Sequence, residues 1–126
     1  MQTPQRFGTL FETLRQRKGL TLREFCQAAG ADPANISRME RSQMLPPKSR
    51  EILGRYASAL GLKDGTDDWY TFFDLANVEQ GTMPEDIMSD AELVNALPAF
   101  FRTLRGQKPT AEELLRIAEK IRGGGR

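Results

Sequence analysis

Within little more than one helical turn the chain carries Ala34, Asn35, Ser37 and Arg38. They supply a methyl, a primary amide, a hydroxyl and a guanidinium. These are the groups that contact base-pair edges in a major groove. A guanidinium forks onto guanine O6 and N7, an amide onto adenine N6 and N7, and a small methyl packs on the thymine methyl. Around them lie Arg23, Arg41 and Lys48, together with Thr21 and the backbone N–H groups of the helix it starts. That set is suited to holding phosphate oxygens, which positions a protein without reading sequence. The competing reading for any one of these side chains is ordinary exposure to solvent.

Most other chemistry is excluded by what the chain lacks. It has no histidine and one cysteine, which removes a histidine base, a histidine metal site and a zinc cluster. Cys26 sits on an apolar helix face with nothing nearby to lower its pKa, so it reads as a packing residue. The pairs Asp67/Asp68 and Glu85/Asp86 fall at helix starts, where acids suit the positive end of the dipole. No phosphate loop or dinucleotide fingerprint is present. No cofactor and no metal are expected.

The elements that must position the polar residues are helical. Nothing alternates as a strand does, and several segments carry the 3.6-residue period. Phe7, Leu10, Phe11 and Leu14 predict a helix over 5–18 that ends at Gly19. Thr21 with Glu24 is a capping box opening a second helix, with Leu22, Phe25, Cys26 and Ala29 on its inner face and Gly30 stopping it. Asp32 caps a third, with Pro33 at its first position and Ile36, Met39 and Glu40 turned toward packing. Pro46-Pro47 separates a fourth over 48–60, and Gly61 ends it. The turn at Gly30-Ala31-Asp32 lets the third helix leave the second steeply. That is a helix-turn-helix, whose second member can enter a major groove.

The second half predicts about three further helices. Thr66 opens one with the stripe Trp69, Phe72, Phe73 and Ala76, for which core packing is the first reading and a partner surface the second. Ser89 with Glu92 reads as another capping box, before Leu93, Leu97, Phe100, Phe101 and Leu104, with a kink or break expected at Pro98. Thr110 with Glu113 is a third box, before Leu114, Ile117, Ala118 and Ile121. Residues 123–126 read as a frayed tail.

The chain has 126 residues, with 39% hydrophobic and 28% charged, a soluble globular composition with no run of ~20 apolar residues to span a bilayer. The first six residues lead into no apolar signal core, and a lone cysteine fits a reducing compartment, so a cytoplasmic location away from membranes is expected. The net charge of +1 conceals an uneven distribution. Residues 1–62 hold ten Lys/Arg against five Asp/Glu, residues 63–104 two against nine, and residues 105–126 six against three. A basic first half is the footprint of a nucleic-acid partner joined to something else.

Thr21, Phe25-Cys26, Gly30-Ala31, Ile36-Ser37 and Glu40-Arg41-Ser42 fall at the spacing of the Xre/Cro, phage-repressor-like helix-turn-helix family, which the chain resembles over about residues 5–62. It departs from the family in four places. Phe25-Cys26 stands where Leu-Ala is usual, and Ala31 where Val is usual. Ser42 replaces a glycine at the end of the third helix. Leu22 replaces a glutamine that reaches a phosphate in many members. The resemblance implies an all-α protein with a four-helix DNA-binding domain at 1–62 and a helical extension at 63–126 for dimerisation or partner binding. It implies a sequence-specific regulator of transcription, a repressor, reading double-stranded DNA with helix 33–41 and bound as a homodimer to a two-fold operator. The alternative is the antitoxin of a toxin–antitoxin module, which neutralises a toxin partner and represses its own operon. The acidic residues 63–104 would then meet a basic partner. A third reading keeps the helix-turn-helix shape for protein contacts alone, and no enzyme activity is expected.

Overall fold

The computed structural model describes residues 5–124. Among these are eight helices and no strand: α1 (Phe7–Arg17), α2 (Leu22–Ala29), α3 (Pro33–Glu40), α4 (Arg50–Ala59), α5 (Asp67–Gln80), α6 (Glu85–Met88), α7 (Ala91–Gln107) and α8 (Ala111–Gly124). The fold is all-α, as the periodicity predicts. None of the described helices is long and apolar enough to cross a membrane. The chain forms two compact units, one running through α5 to Pro84 and one from Glu85 onward.

The first unit is built on the predicted stripes. Phe7, Leu10, Phe11 and Leu14 of α1 are buried, with Phe25, Cys26 and Ala29 of α2, Ile36 and Met39 of α3, and Leu53, Ala57 and Leu60 from α4 and its C-cap. Phe11 is fully buried and meets four rings: Phe7 at 6.0 Å, Phe25 at 4.9 Å edge-on, Tyr56 at 6.0 Å and Phe72 at 6.2 Å between centroids. Where α1 crosses the end of α3 the backbones come close at Gly8. A Cβ there would overlap the carbonyl oxygen of Met39 and stand 2.8 Å from that of Glu40. Only glycine lets the two helices meet this way. Gly30 takes the left-handed conformation, φ 67°, and closes α2 with a bond from its N–H to the Cys26 carbonyl.

The sequence places a boundary at residue 62, with a head complete in four helices. The compact unit instead continues through α5. Phe72, Phe73 and Ala76 are buried in the same core, with Phe72 packed 5.1 Å from Phe7. The α5 apolar face therefore finds its cover within its own chain, in the first unit, and not in a second copy or a foreign partner. Polar bonds seal it. Glu79 accepts the Phe7 N–H, an orphan donor at the start of α1, which has no cap from its own N-cap residue Arg6. Gln80 donates its amide to the carbonyls of Pro46 and Pro47, in the linker between α3 and α4.

The second unit is a different kind of object. α6 packs on α7. The cap of α7 is Asp90, whose carboxylate accepts from the Glu92 and Leu93 N–H groups at 3.1 and 3.2 Å. Ser89, expected as the cap of a box with Glu92, instead donates to the Asp86 carbonyl. An ionised oxygen is the stronger acceptor and takes the role. The box at Thr110 and Glu113 forms as predicted, with bonds of 2.9 and 3.1 Å. Of the kink or break expected at Pro98, the break is absent, and α7 runs through that residue. The missing Pro98 N–H removes one helical bond. α8 reaches Gly124, so residues 123–124 of the expected tail are helical, and residues 125–126 lie outside the described part. No residue of α7 is buried, and every described side chain of α8 is exposed.

The dependence of the head on α5 is open to measurement. Phe72→Ala is expected to destabilise the first unit by about 3–5 kcal/mol, the cost of emptying an aromatic site in a packed core, read from denaturant unfolding. A fragment ending at residue 62 is expected to lose the cooperative transition that a fragment ending at Pro84 retains.

Candidate nucleic-acid interface

The orientation of α3 is set from inside. Arg15 on α1 reaches the last residue of α3 with two bonds, Nε to Glu40 Oε2 at 2.7 Å and Nη2 to Oε1 at 3.1 Å. Its third nitrogen donates to the Leu20 carbonyl at 2.8 Å, in the turn before α2. The side chains of Arg15 and Glu40 are 11% and 7% exposed. The sequence places Arg15 with Arg17 and Lys18 at a solvated helix end. Arg17 and Lys18 are indeed exposed, but Arg15 is not. Its bond to the Glu40 carboxylate pushes the guanidinium pKa still further up, against the opposing effect of burial. A fork-on-fork pair fixes angle as well as distance. Together with the contact at Gly8, it defines how α3 leaves the body.

The other face of α3 points outward. Ile36 and Met39 are buried, while Ala34 and Arg38 are exposed and Asn35 and Ser37 half-buried. The helix therefore gathers the four base-reading candidates on one side. Arg38 is not a free arm, because its Nη2 donates to Asn35 Oδ1 one turn back. Arg41 Nε donates to the Ser37 carbonyl at 3.3 Å, which holds its stem along the same helix. The link between Asn35 and Arg38 has a sequence signal, the i, i+3 spacing of an amide and a guanidinium.

The phosphate candidates Thr21, Arg23, Arg41 and Lys48 are all exposed. Thr21 and Arg23 open α2, which packs against α3. Lys48 follows the proline linker whose carbonyls Gln80 holds. At the start of α2 the capping box consumes two donors: Glu24 accepts the Thr21 N–H at 2.8 Å, and the Thr21 hydroxyl accepts the Glu24 N–H at 3.1 Å. These bonds hold the Glu24 carboxyl below the usual carboxylate range, the backbone N–H being the larger cause. The Thr21 hydroxyl proton and the first-turn N–H groups of Leu22 and Arg23 remain as donors. Asp32 likewise fills the start of α3, accepting the Ala34 N–H at 3.4 Å.

The end of α3 explains one departure from the resembled pattern. Ser42 adopts φ 60°, the left-handed region that glycine occupies without strain. The helix closes around it, Ser42 N–H to Met39 O at 3.0 Å and Gln43 N–H to Arg38 O at 2.8 Å. The turn keeps its shape at the cost of a strained serine. Cys26 is buried, and burial pushes its thiol pKa up, which agrees with a packing residue. Among the described residues no group of three or more acidic, cysteine or histidine side chains is placed to hold a metal ion.

Residues 6–69 match the model of a family described as a helix-turn-helix domain. Two solved structures, both of the clp gene regulator ClgR from Corynebacterium glutamicum, are similar to the chain. One is 28% identical, covering 63% of this chain and 90% of that one, with a TM-score of 0.43. The other is 24% identical, covering 82% and 92%, with a TM-score of 0.44. No curated protein matches the sequence. Relief of the strain at residue 42 gives a direct check on the α3 turn. Ser42→Gly is expected to raise unfolding stability by about 1 kcal/mol, the left-handed penalty of a residue with a Cβ, measured by denaturant titration.

Proposed function

The chain belongs to the helix-turn-helix domain family, of the Xre/Cro type, and on that footing we propose that it is a sequence-specific, double-stranded DNA-binding repressor of transcription. The observation that carries this reading is the outward face of α3, where Asn35 and Arg38 are joined and presented by a helix locked from behind through Glu40. In this proposal Ala34, Asn35, Ser37 and Arg38 face base edges in the major groove. Arg23, Arg41, Lys48 and the Thr21 hydroxyl bind phosphates. Its work is binding, with no catalytic step, no cofactor and no metal, in the cytoplasm. A single small head makes few base contacts, and a homodimer on a two-fold operator doubles them.

A second reading, an antitoxin that neutralises a toxin, is favoured by one observation: α7 and α8 expose apolar faces that a foreign protein can cover. The two roles differ in what saturates that surface, and DNA binding is common to both.

Two sets of measurements test the interface. Binding to duplex DNA is expected to weaken linearly in log K against log salt. Arg41→Ala or Lys48→Ala should weaken binding on all sequences alike and flatten the slope by about 1 unit per lost phosphate. A salt-independent affinity overturns the reading. Arg38→Ala is expected to cost about 1–3 kcal/mol on the selected site and to relax preference at one base pair per half-site, in competition binding. If discrimination survives in Arg38→Ala and Asn35→Ala alike, α3 is not the reader.

A further inference from the structure

The second unit carries more apolar surface than it hides. On α7, Leu93, Leu97, Phe100 and Leu104 recur at spacings of four, three and four residues, and Leu93, Phe100 and Phe101 are 49%, 45% and 38% exposed. On α8, Leu114, Ile117 and Ile121 repeat the pattern at three and four, exposed by 37%, 45% and 70%. This is the seam spacing of helices that pack side by side. Among the described residues α8 has no extensive packing against α7 or any other helix. A lone helix of 14 residues is marginal in water, since isolated helices below ~12–15 residues are barely stable. Its helical state asks for a neighbour.

The charges say which neighbour. α7 begins acidic, at Asp90 and Glu92, and ends basic, at Arg102, Arg105 and Lys108. α8 repeats the polarity, with Glu112 and Glu113 first and Lys120 and Arg122 last. A helix of that polarity complements another copy of itself laid antiparallel, where each acidic start meets a basic end and the helix dipoles also align favourably. Laid parallel, like charge meets like. We infer that α7 pairs antiparallel with α7 of a second copy of this chain, across a two-fold axis through the middle of the stripe, and that the two α8 helices complete a four-helix bundle.

The register follows from the stripe. Leu93 of one copy meets Leu104 of the other, and Leu97 meets Phe100. Isologous pairing of this kind closes on itself and does not propagate a fibre.

The inference rests on the homodimer proposed above, and its test needs no DNA. Light scattering of the full chain at tens of micromolar is expected to give the dimer mass. Leu97→Asp with Phe100→Asp should shift it to the monomer, with unfolding of the first unit unchanged because none of these residues lies in its core. The pairing is read by oxidative trapping. Chains carrying Leu93→Cys are mixed with chains carrying Leu104→Cys, with Cys26 silent in the core. Antiparallel pairing gives a mixed disulfide in large excess over either homodisulfide. Predominant homodisulfides would overturn the antiparallel arrangement while leaving the dimer in place. A full-length monomer would overturn both, and a monomer that forms a stoichiometric complex with a foreign protein through α7 would do so in favour of that partner. Arg105→Glu with Lys108→Glu, a surface change that leaves the seam intact, should weaken self-association at least tenfold at low salt. No loss there would remove the charge argument.

Discussion

Everything in the first unit turns on the burial of one ring. Phe11 contacts aromatic side chains from α1 itself, α2, α4 and α5, so it is the point at which four helices share a core. Edge-on and tilted contacts at 4.9–6.2 Å between centroids are the geometry aromatic pairs prefer. Shape as well as oiliness is therefore specified here. A small domain has little apolar area to spare, and clustering rings at one site concentrates it. The departure of Phe25 from the leucine usual in the resembled family belongs to this packing, because Phe25 meets both Phe11 and Tyr56.

Position is then transmitted outward through polar links that have little freedom. α3 is held at its end by the Arg15–Glu40 fork and by backbone contact over Gly8. The linker beyond it is held by Gln80. A partly buried ion pair is not by itself a source of stability, because desolvation offsets attraction. Its value here is directional: the guanidinium joins α1, the turn before α2 and α3 in one plane. The outer face inherits that rigidity, and its arginines are further restrained by Asn35 and by the Ser37 carbonyl. Side chains held in place before binding lose less entropy on contact.

Local signals were legible in the sequence and remote ones were not. Thr21 with Glu24, Thr110 with Glu113, Asp32 before Pro33 and the glycine at residue 30 each act within three or four residues, so reading the chain in order finds them. Ser89 misled because Asp90 stands beside it and an ionised cap outcompetes a hydroxyl. Arg15 looked solvated because its partner Glu40 lies 25 residues away. The stripe on α5 announced an apolar face without saying what it faces. The answer lay in Phe7, Glu79 and the proline linker, none of which periodicity can connect. The exposure of Ala34 and Arg38 on α3 was readable because a single buried pair, Ile36 and Met39, fixes the rotation of so short a helix. The strain at Ser42 was readable as a departure, and its left-handed backbone gives the cause.

The bond from the Phe7 N–H to Glu79 ties the first described turn of helix to a residue far along the chain, and this sets an order of events during synthesis. The outward-facing helix is complete in sequence by residue 40, yet the core beneath it closes only when Phe72, Glu79 and Gln80 have been made. At a translation rate of ~5–20 residues per second, those last ~40 residues take about 2–8 s. Throughout that interval Phe7 and Phe11 lack one wall of their site. The nascent chain is therefore expected to keep that aromatic cleft open until α5 has emerged, and the head to close in one late step instead of helix by helix.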